Sequence, residues 1–358
     1  MNIRTTLALT LTATAWMTVA TLVAQNAPAT PAAQAPAAQG AAAQPPRVPQ
    51  GGRGPVRVLF ISKGHDFDRE GLMTMLDQLG TDITWTHVEH PAAELFYDPK
   101  NGTDYDAYLF YDAPSRGQPT PQPPNGAPGY RDPGPMAKKN FAALTESGKP
   151  LVFLHHATAA WNHTWPEYSE MIGAACDWGA PVTFEGKTSP NSGARGNTQQ
   201  HITVLDKTNP INAALTAGLG DGFDIVDESY LCETDETLFH PLLKTDFVAI
   251  DKNFETRYAG GWRHPGQGTS YTGWYRAVGK SPLVYIQHGH GATAWQNPAY
   301  KTLVTDAIKW VVSPEGKAFG AKEGKPMKMS KETLAAASSS ATSWSTAATA
   351  PACPMASP

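Results

Sequence analysis

The chemistry available to this chain gathers around histidine. Eleven are present. Five of them, His155, His156, His163, His288 and His290, stand in two places, each just beyond a short apolar run. The first run is Pro150–Leu154 (PLVFL) and the second is Pro282–Gln287. Two further groups share that setting: Lys63, Gly64, His65 and Asp66 after Val56–Ser62, and Asp227, Glu228 and Tyr230 near the end of the run that opens at Phe223. A histidine on a loop is more often a surface residue than a reactive one. Two such groups, each directly beyond a strand, point to a shared site.

Three chemistries could use this set. A sharp turn after a strand can display a nucleophile above a sheet, but Leu154–Ala157 contains neither Cys nor Ser. Metal binding would draw on His155, His156, His163, His288 and His290 with Glu228 or Asp66, a nitrogen–oxygen set suited to zinc or another divalent ion. His155, His156 and His290 lead that list, although no HExxH or comparable spacing fixes it. General acid–base work needs only imidazoles that titrate near neutrality and a carboxylate that converges on them. On that reading His155, Glu228 and His290 are catalytic, while His65, Asp66, His156, Trp161, Trp165, Tyr230, His288 and Trp295 line the pocket. These residues demand no cofactor, and a divalent metal is the one they suggest.

The aromatic residues bear on the substrate. Trp161, Trp165, Trp262, Trp274 and Trp295 fall in loops or at strand ends, several beside Gly or Pro. Any one indole more often closes a core from outside. Together they suit a sugar or polyol, whose C–H faces stack on rings while amides and carboxylates take the hydroxyls. A small-molecule carbohydrate is therefore the expected partner. No glycine-rich phosphate loop follows a strand, and the prolines around Gly126 and Gly129 lack the N–H groups of a phosphate cradle.

Elements able to position these residues follow from periodicity. Val56–Ser62 reads as a buried strand and Arg69–Leu79 as an amphipathic helix, with Leu72, Met75, Leu76 and Leu79 on one face and Gly80 as its stop. Ile83–Val88, Ala107–Tyr111 and Pro150–Leu154 read as strands, with a helix over Met136–Thr145. The Pro/Gly-rich insert Ala113–Pro135 is a surface loop. Later come strands at His201–Leu205, Phe223–Tyr230, Phe247–Ile250 and Pro282–Gln287, a short helix at Pro210–Ala217, and a strongly amphipathic helix at Tyr300–Val312. This order predicts one doubly wound α/β domain, with a mostly parallel, flavodoxin-like sheet and helices on both faces. Such sheets carry their sites beyond the carboxyl ends of the strands.

The 358 residues carry a net charge of -4 and show no basic stripe, which argues against nucleic acid as a partner. Residues 1–26 read as an export signal, with Arg4 ahead of the apolar run Leu7–Ala24. A periplasmic or secreted protein without stable membrane insertion is expected once that signal is cleaved. Residues 27–54 read as a disordered Ala/Pro/Gln spacer, 55–322 as the domain, and 323–358 as a disordered Ala/Ser/Thr-rich tail. Of three cysteines, Cys176, Cys232 and Cys353, two buried thiols at Cys176 and Cys232 are favoured over a bridge between them.

Several segments resemble, in order, the trehalose-utilisation (ThuA-like) family: VRVLFISKGHDF, LVFLHHATAAWNHTWPEYSEMIG, HITVLDKTNPI, FDIVDESY and TGWYRAVGKSPLVYIQHGHGATAWQNPAY. The likeness covers most of Val56–Val312. It implies the flavodoxin-like fold of the class I glutamine amidotransferases. It also implies a place in sugar metabolism, with disaccharides such as trehalose and their 3-keto derivatives. Glutamine hydrolysis is not implied. His155 and His156 stand where those enzymes carry a cysteine, and Gly291 and Ala292 follow His290 in place of Pro-Glu. By position, His155, Glu228 and His290 look like the family's recurrent polar residues. The long Pro-rich insert departs from its shorter members. The expected function is an exported carbohydrate-active enzyme working on a keto-disaccharide or glycoside. A metal-dependent hydrolase and a non-catalytic sugar-binding protein are the alternatives.

Overall fold

Runs of apolar residues too short for helices build the centre of the molecule. A computed structural model describes residues 50–52, 54–114, 130–178, 180–189, 192–250, 253–254 and 268–338. Four parallel neighbours of the sheet are almost wholly apolar: β2 (Val56–Lys63), β4 (Ala107–Asp112), β5 (Leu151–Leu154) and β14 (Ser281–Ile286). Both faces of such strands are covered, so their residues are buried without alternation. With β3 (Ile83–Glu89) they form a parallel half in the order β3-β2-β4-β5-β14. The short β1 (Gln50–Gly52) lies antiparallel on the β3 edge.

Beyond β14 the sheet continues antiparallel through β13 (Tyr271–Val278), β12 (His240–Thr245), β9 (Gly193–Val204) and β10 (Gly222–Leu231), making ten strands in all. The doubly wound α/β domain read from the sequence is thus present, with an antiparallel extension on one side. Two small ribbons stand apart: β6 (Ala174–Ala175) with β11 (Glu233–Thr234), and β7 (Val182–Phe184) with β8 (Lys187–Ser189).

Two apolar layers cover the sheet. One is built by α1 (Arg69–Asp77) and α6 (Pro298–Val312); the other by α2 (Pro135–Glu146) and α3 (Pro166–Ile172). In α6, Tyr300, Leu303, Val304, Ala307, Ile308 and Val311 are all buried, the face its spacing predicts. Each such side chain contributes roughly 1.5–3 kcal/mol when fully removed from water. The helix starts where Asn297 Oδ1 accepts from the Ala299 amide at 2.9 Å, with Pro298 in its first turn.

Three expectations need correction. Phe247–Ile250 is not a strand of the sheet; the strand is β12, and β13 was not foreseen at all. Phe247 and Ala249 instead pack with Leu231 and Phe254 in a small satellite cluster, so the apolar run marked burial and not pairing. Cys176 and Cys232 are not free thiols but form a disulfide. Finally, the packed chain runs past Lys322: α7 (Pro314–Glu323) leads to Lys325, which bridges to Val278, and to Met327, buried against the second layer. The export signal, nearly all of the spacer, most of the Pro-rich insert, Trp262 and Cys353 lie outside the described residues. Among the described residues, no helix is long and apolar enough to cross a membrane.

Candidate active site

Parallel strands end at a common edge, so the loops that follow β2, β5 and β14 are brought together by the sheet itself. The chain turns sharply after β5. His155 takes a positive φ of 51°, a conformation that non-glycine residues seldom adopt. Neighbouring groups hold it there: the Tyr285 hydroxyl donates to the His155 carbonyl at 2.9 Å, and His155 Nδ1 lies 2.9 Å from the Gln287 carbonyl. A carbonyl only accepts, so His155 Nδ1 carries a proton.

The loop after β14 is equally constrained. Gly289 has φ 129°, and a Cβ there would collide with the Tyr300 hydroxyl. Its carbonyl accepts from Tyr111 Oη and Trp295 Nε1, both at 2.9 Å. The Asp227 carboxylate accepts the Gly289 amide at 2.6 Å and the His290 amide at 3.1 Å. Burial alone would raise the Asp227 carboxyl, but hydrogen bonding and charge from His288, with His155 and the Gly289 amide, hold it below its ordinary value.

Glu228 comes from the far side of the sheet. The β9–β10 pairing slips by one residue here: Asp227 faces Thr198 and Ser229 faces Arg195, so the extra residue lies in β9, where Asn197 takes a positive φ of 51°, and Glu228 stands opposite that β-bulge. Two consecutive acids of β10 work on the same loop. Asp227 fixes its backbone, and Glu228 meets its side chains. Glu228 Oε2 lies 3.0 Å from His290 Nδ1 and 3.4 Å from His155 Nε2, and the two imidazole nitrogens are 3.1 Å apart. Burial acts to raise the Glu228 carboxyl, yet hydrogen bonds from His155 and His290 outweigh it and hold the group far below the usual carboxylate range. The Tyr230 hydroxyl lies 2.7 Å from His155 Nε2, its ring stacked on the imidazole. Burial, then the Glu228 charge, keeps that phenol protonated.

The side chain of His290 is 42% exposed, whereas that of His155 is fully buried, so the cluster opens to solvent on the His290 side. His65 flanks that opening, stacked on His156 with ring centroids 4.6 Å apart and edge-on to His290 at 5.7 Å. Its pKa is pushed down to about 4, first by burial and then by His155 and His290, which leaves a neutral imidazole at neutral pH. Gly64 places it there with φ 90°, passing so close to the Ala113 carbonyl that a Cβ could not fit.

The other expected lining residues behave differently. His156 and His288 are buried, the latter with Nδ1 3.6 Å from Asp227 Oδ2. Asp66 is exposed and makes no side-chain contact with the cluster. Trp161, Trp165, Trp274 and Trp295 are all buried. Trp165 packs in the second layer with Phe141 and Tyr168, Trp274 lies flat on Phe239, and the Trp295 indole braces Gly289. Their ring faces are taken by protein, so they frame the site and offer no platform to a sugar. Sequence reasoning passed over Tyr111 and gave no role to Gly289 or to Asp227, which it placed at the strand ends. The adjacent acids Asp227 and Glu228 in an otherwise alternating strand were the available signal.

A second histidine–carboxylate cluster lies nearby, at the end of β4. His90 Nδ1 meets Glu94 Oε1 at 2.9 Å and its Nε2 meets Asp112 Oδ2 at 3.0 Å. Arg131 donates to Glu94 Oε2 at 2.7 Å and rests over the Trp161 ring at 5.2 Å. Apart from these two clusters, His163 Nε2 pairs with Asp177 Oδ2 at 2.9 Å, so His163 is not part of the open one.

Sequence comparison fits this geometry. The family model for trehalose utilisation, ThuA, matches residues 57–311. The chain belongs to the ThuA family. Among solved structures, this ThuA chain is similar to a ThuA-like protein from Parabacteroides merdae at 14% identity and a TM-score of 0.51, over 72% of this chain and 90% of that one. A ThuA-like protein from Bacteroides uniformis follows at 16% identity and a TM-score of 0.47, over 77% and 96%. At 14% identity the likeness to the Parabacteroides protein is one of fold. No curated protein shows significant sequence similarity to the chain. The architecture is consistent with the class I glutamine amidotransferase-like fold, and the residue at the turn after β5 is His155.

Proposed function

We propose that this protein is a carbohydrate-active enzyme that handles a proton beside a carbonyl group of an oxidised disaccharide or glycoside. The observation that carries the reading is the convergence of His155, Glu228 and His290, distant in sequence, around one solvent-facing point at the strand ends. ThuA family membership directs the substrate class towards sugars.

In this reading the sugar enters on the His290 side. His290, the exposed member of the cluster and oriented by Glu228, donates to the carbonyl oxygen and stabilises the negative charge that develops there. His65, neutral and beside the opening, takes the proton from the carbon next to the carbonyl. The C–H electron pair moves into the ring and the carbonyl becomes an enolate. Return of the proton at the neighbouring carbon isomerises the sugar. Departure of the glycosidic oxygen from the β carbon, with a proton from His65, breaks the glycoside instead. His155 is too buried to reach the sugar and serves by orienting its partners.

We also place the protein outside the cytoplasm. The Cys176–Cys232 disulfide supports an oxidising compartment, in line with the export signal expected over residues 1–26. Sequencing the amino terminus of the mature protein from its native host tests this; an uncleaved chain in the cytosol overturns it.

Turnover of 3-keto-disaccharides, followed by mass spectrometry with the plain sugars as controls, tests the reaction. His65→Gln should lower turnover by about 10²- to 10⁴-fold with the fold retained. Unchanged turnover, or no product from any keto sugar, rejects the proposal.

A further inference from the structure

Resting on the reading of this cluster as the reacting centre, we infer that His155 Nε2, Glu228 Oε2 and His290 Nδ1 hold a divalent transition cation, zinc or a first-row neighbour, which supplies the positive charge facing the carbonyl oxygen. Convergence carries the inference first. His155 Nε2, Glu228 Oε2 and His290 Nδ1 offer one ligand atom each to a common point. The Gln287 carbonyl, 2.9 Å from His155 Nδ1, aims Nε2 at that point.

Distances agree. Nitrogen and carboxylate ligands sit about 2.0–2.2 Å from zinc, so neighbouring donors in tetrahedral or octahedral arrangements stand roughly 3.0–3.6 Å apart. The three separations here are 3.0, 3.1 and 3.4 Å. The surrounding shell also has the form that metal ligands require. Ligating histidines donate their second nitrogen to a carbonyl or carboxylate, as His155 does to Gln287. The His290 main chain is pinned by Asp227. Three protein donors with an opening on the exposed His290 side leave positions for water or substrate, the pattern of a catalytic rather than a structural site. The Tyr230 hydroxyl now lies against His155 Nε2 and also interacts with Glu228. On loading it turns its proton to the carboxylate and frees the nitrogen.

Only one of the three was missing from the metal candidates that sequence reasoning favoured: Glu228 takes the place given there to His156. His156 is buried, stacked on His65 and edge-on to Tyr111, outside the donor triangle.

The test is a zinc titration of the full chain after chelator treatment and dialysis, read by calorimetry and by metal analysis of the dialysed protein, with manganese and magnesium in parallel. One equivalent of zinc should bind, with magnesium far weaker. Glu228→Gln and His290→Ala should each weaken binding by at least about 100-fold, while retaining the wild-type circular dichroism and melting behaviour. His163→Ala, from the separate His163–Asp177 pair, should bind as the wild type does. Absence of stoichiometric binding overturns the inference. So does binding that survives both ligand substitutions or that is lost only in His156→Ala. The readout is independent of catalysis. Zinc bound without sugar turnover would remove the proposed reaction and leave the metal site. Undiminished keto-sugar turnover in chelated protein would remove the metal and leave the reaction.

Discussion

Two histidine–carboxylate clusters lie at the same edge of the sheet, and they are built to opposite rules. At His90 each imidazole nitrogen has its own carboxylate, Glu94 on one side and Asp112 on the other, and Arg131 supplies a second cation. The side chains are almost closed to water. At His155 and His290 two imidazoles share one carboxylate, and His290 stands open. The first arrangement settles its charges internally. The second turns three ligand atoms towards an opening. Histidine beside a carboxylate is therefore not in itself a functional mark; a cluster open to solution is.

The contrast breaks most sharply on stability. His90→Ala leaves Asp112 buried without its partner and should cost about 3–5 kcal/mol, measured by urea unfolding. A loss under about 1 kcal/mol would mean that the closed cluster is not a structural brace. The open cluster has a covalent brace instead: the disulfide ends at Cys232, two residues beyond Tyr230, and spans 56 positions from Cys176. Replacing both cysteines by serine should cost about 4 kcal/mol on the loop-entropy account. It should also loosen Tyr230 over His155, seen as a weaker zinc affinity or slower turnover.

Acidity separates the clusters next. Burial opposes a charge on His90, but hydrogen bonds from Asp112 and Glu94 outweigh it and raise its pKa above the ordinary value. A raised folded-state value means that this stabilisation is complete below about pH 6.5, the unfolded value, and is lost as pH climbs through the folded one. Unfolding free energy should thus fall as pH rises above about 6.5, by about 1.4 kcal/mol per unit of difference between the two values. His90→Gln should flatten that slope. An unchanged slope would place its origin elsewhere. The smallest effect belongs to His290→Ala: with its side chain 42% exposed, stability should shift by less than about 1 kcal/mol while turnover collapses. A large loss of stability would mean that the open cluster is a structural element too.

The same contrast explains what could be read in the chain beforehand. Strands such as VLFI in β2 and the whole of β4 announce themselves because both faces are covered, and the spacing of Leu303, Val304, Ala307 and Ile308 announces α6. Strand β12 hides because it begins with His240 and Pro241, and β13 because Gly273 and Arg276 interrupt its apolar pattern. His155, Glu228 and His290 were legible as strand-end residues, since topology fixes where strand ends go. The tryptophans were misleading for an energetic reason: each buries a large apolar area, and Trp165 and Trp274 gain more from packing against Phe141 and Phe239 than from waiting in water for a ligand. Asp112 and His90 gave no signal because nothing local in sequence reports that both ends of an imidazole will find an acid.

The bulge in β9 has a consequence for how this centre can be gained or lost. Asp227 faces Thr198 and Ser229 faces Arg195 across the ladder, so Gly196 and Asn197 together stand opposite the single Glu228. Excising one of that pair would let the hairpin close without interruption and would reset the register on which Glu228 is presented. A single codon outside the cluster thus separates a reactive relative from an inert one of the same architecture, and descent within such a lineage could silence or restore chemistry without touching any residue that performs it.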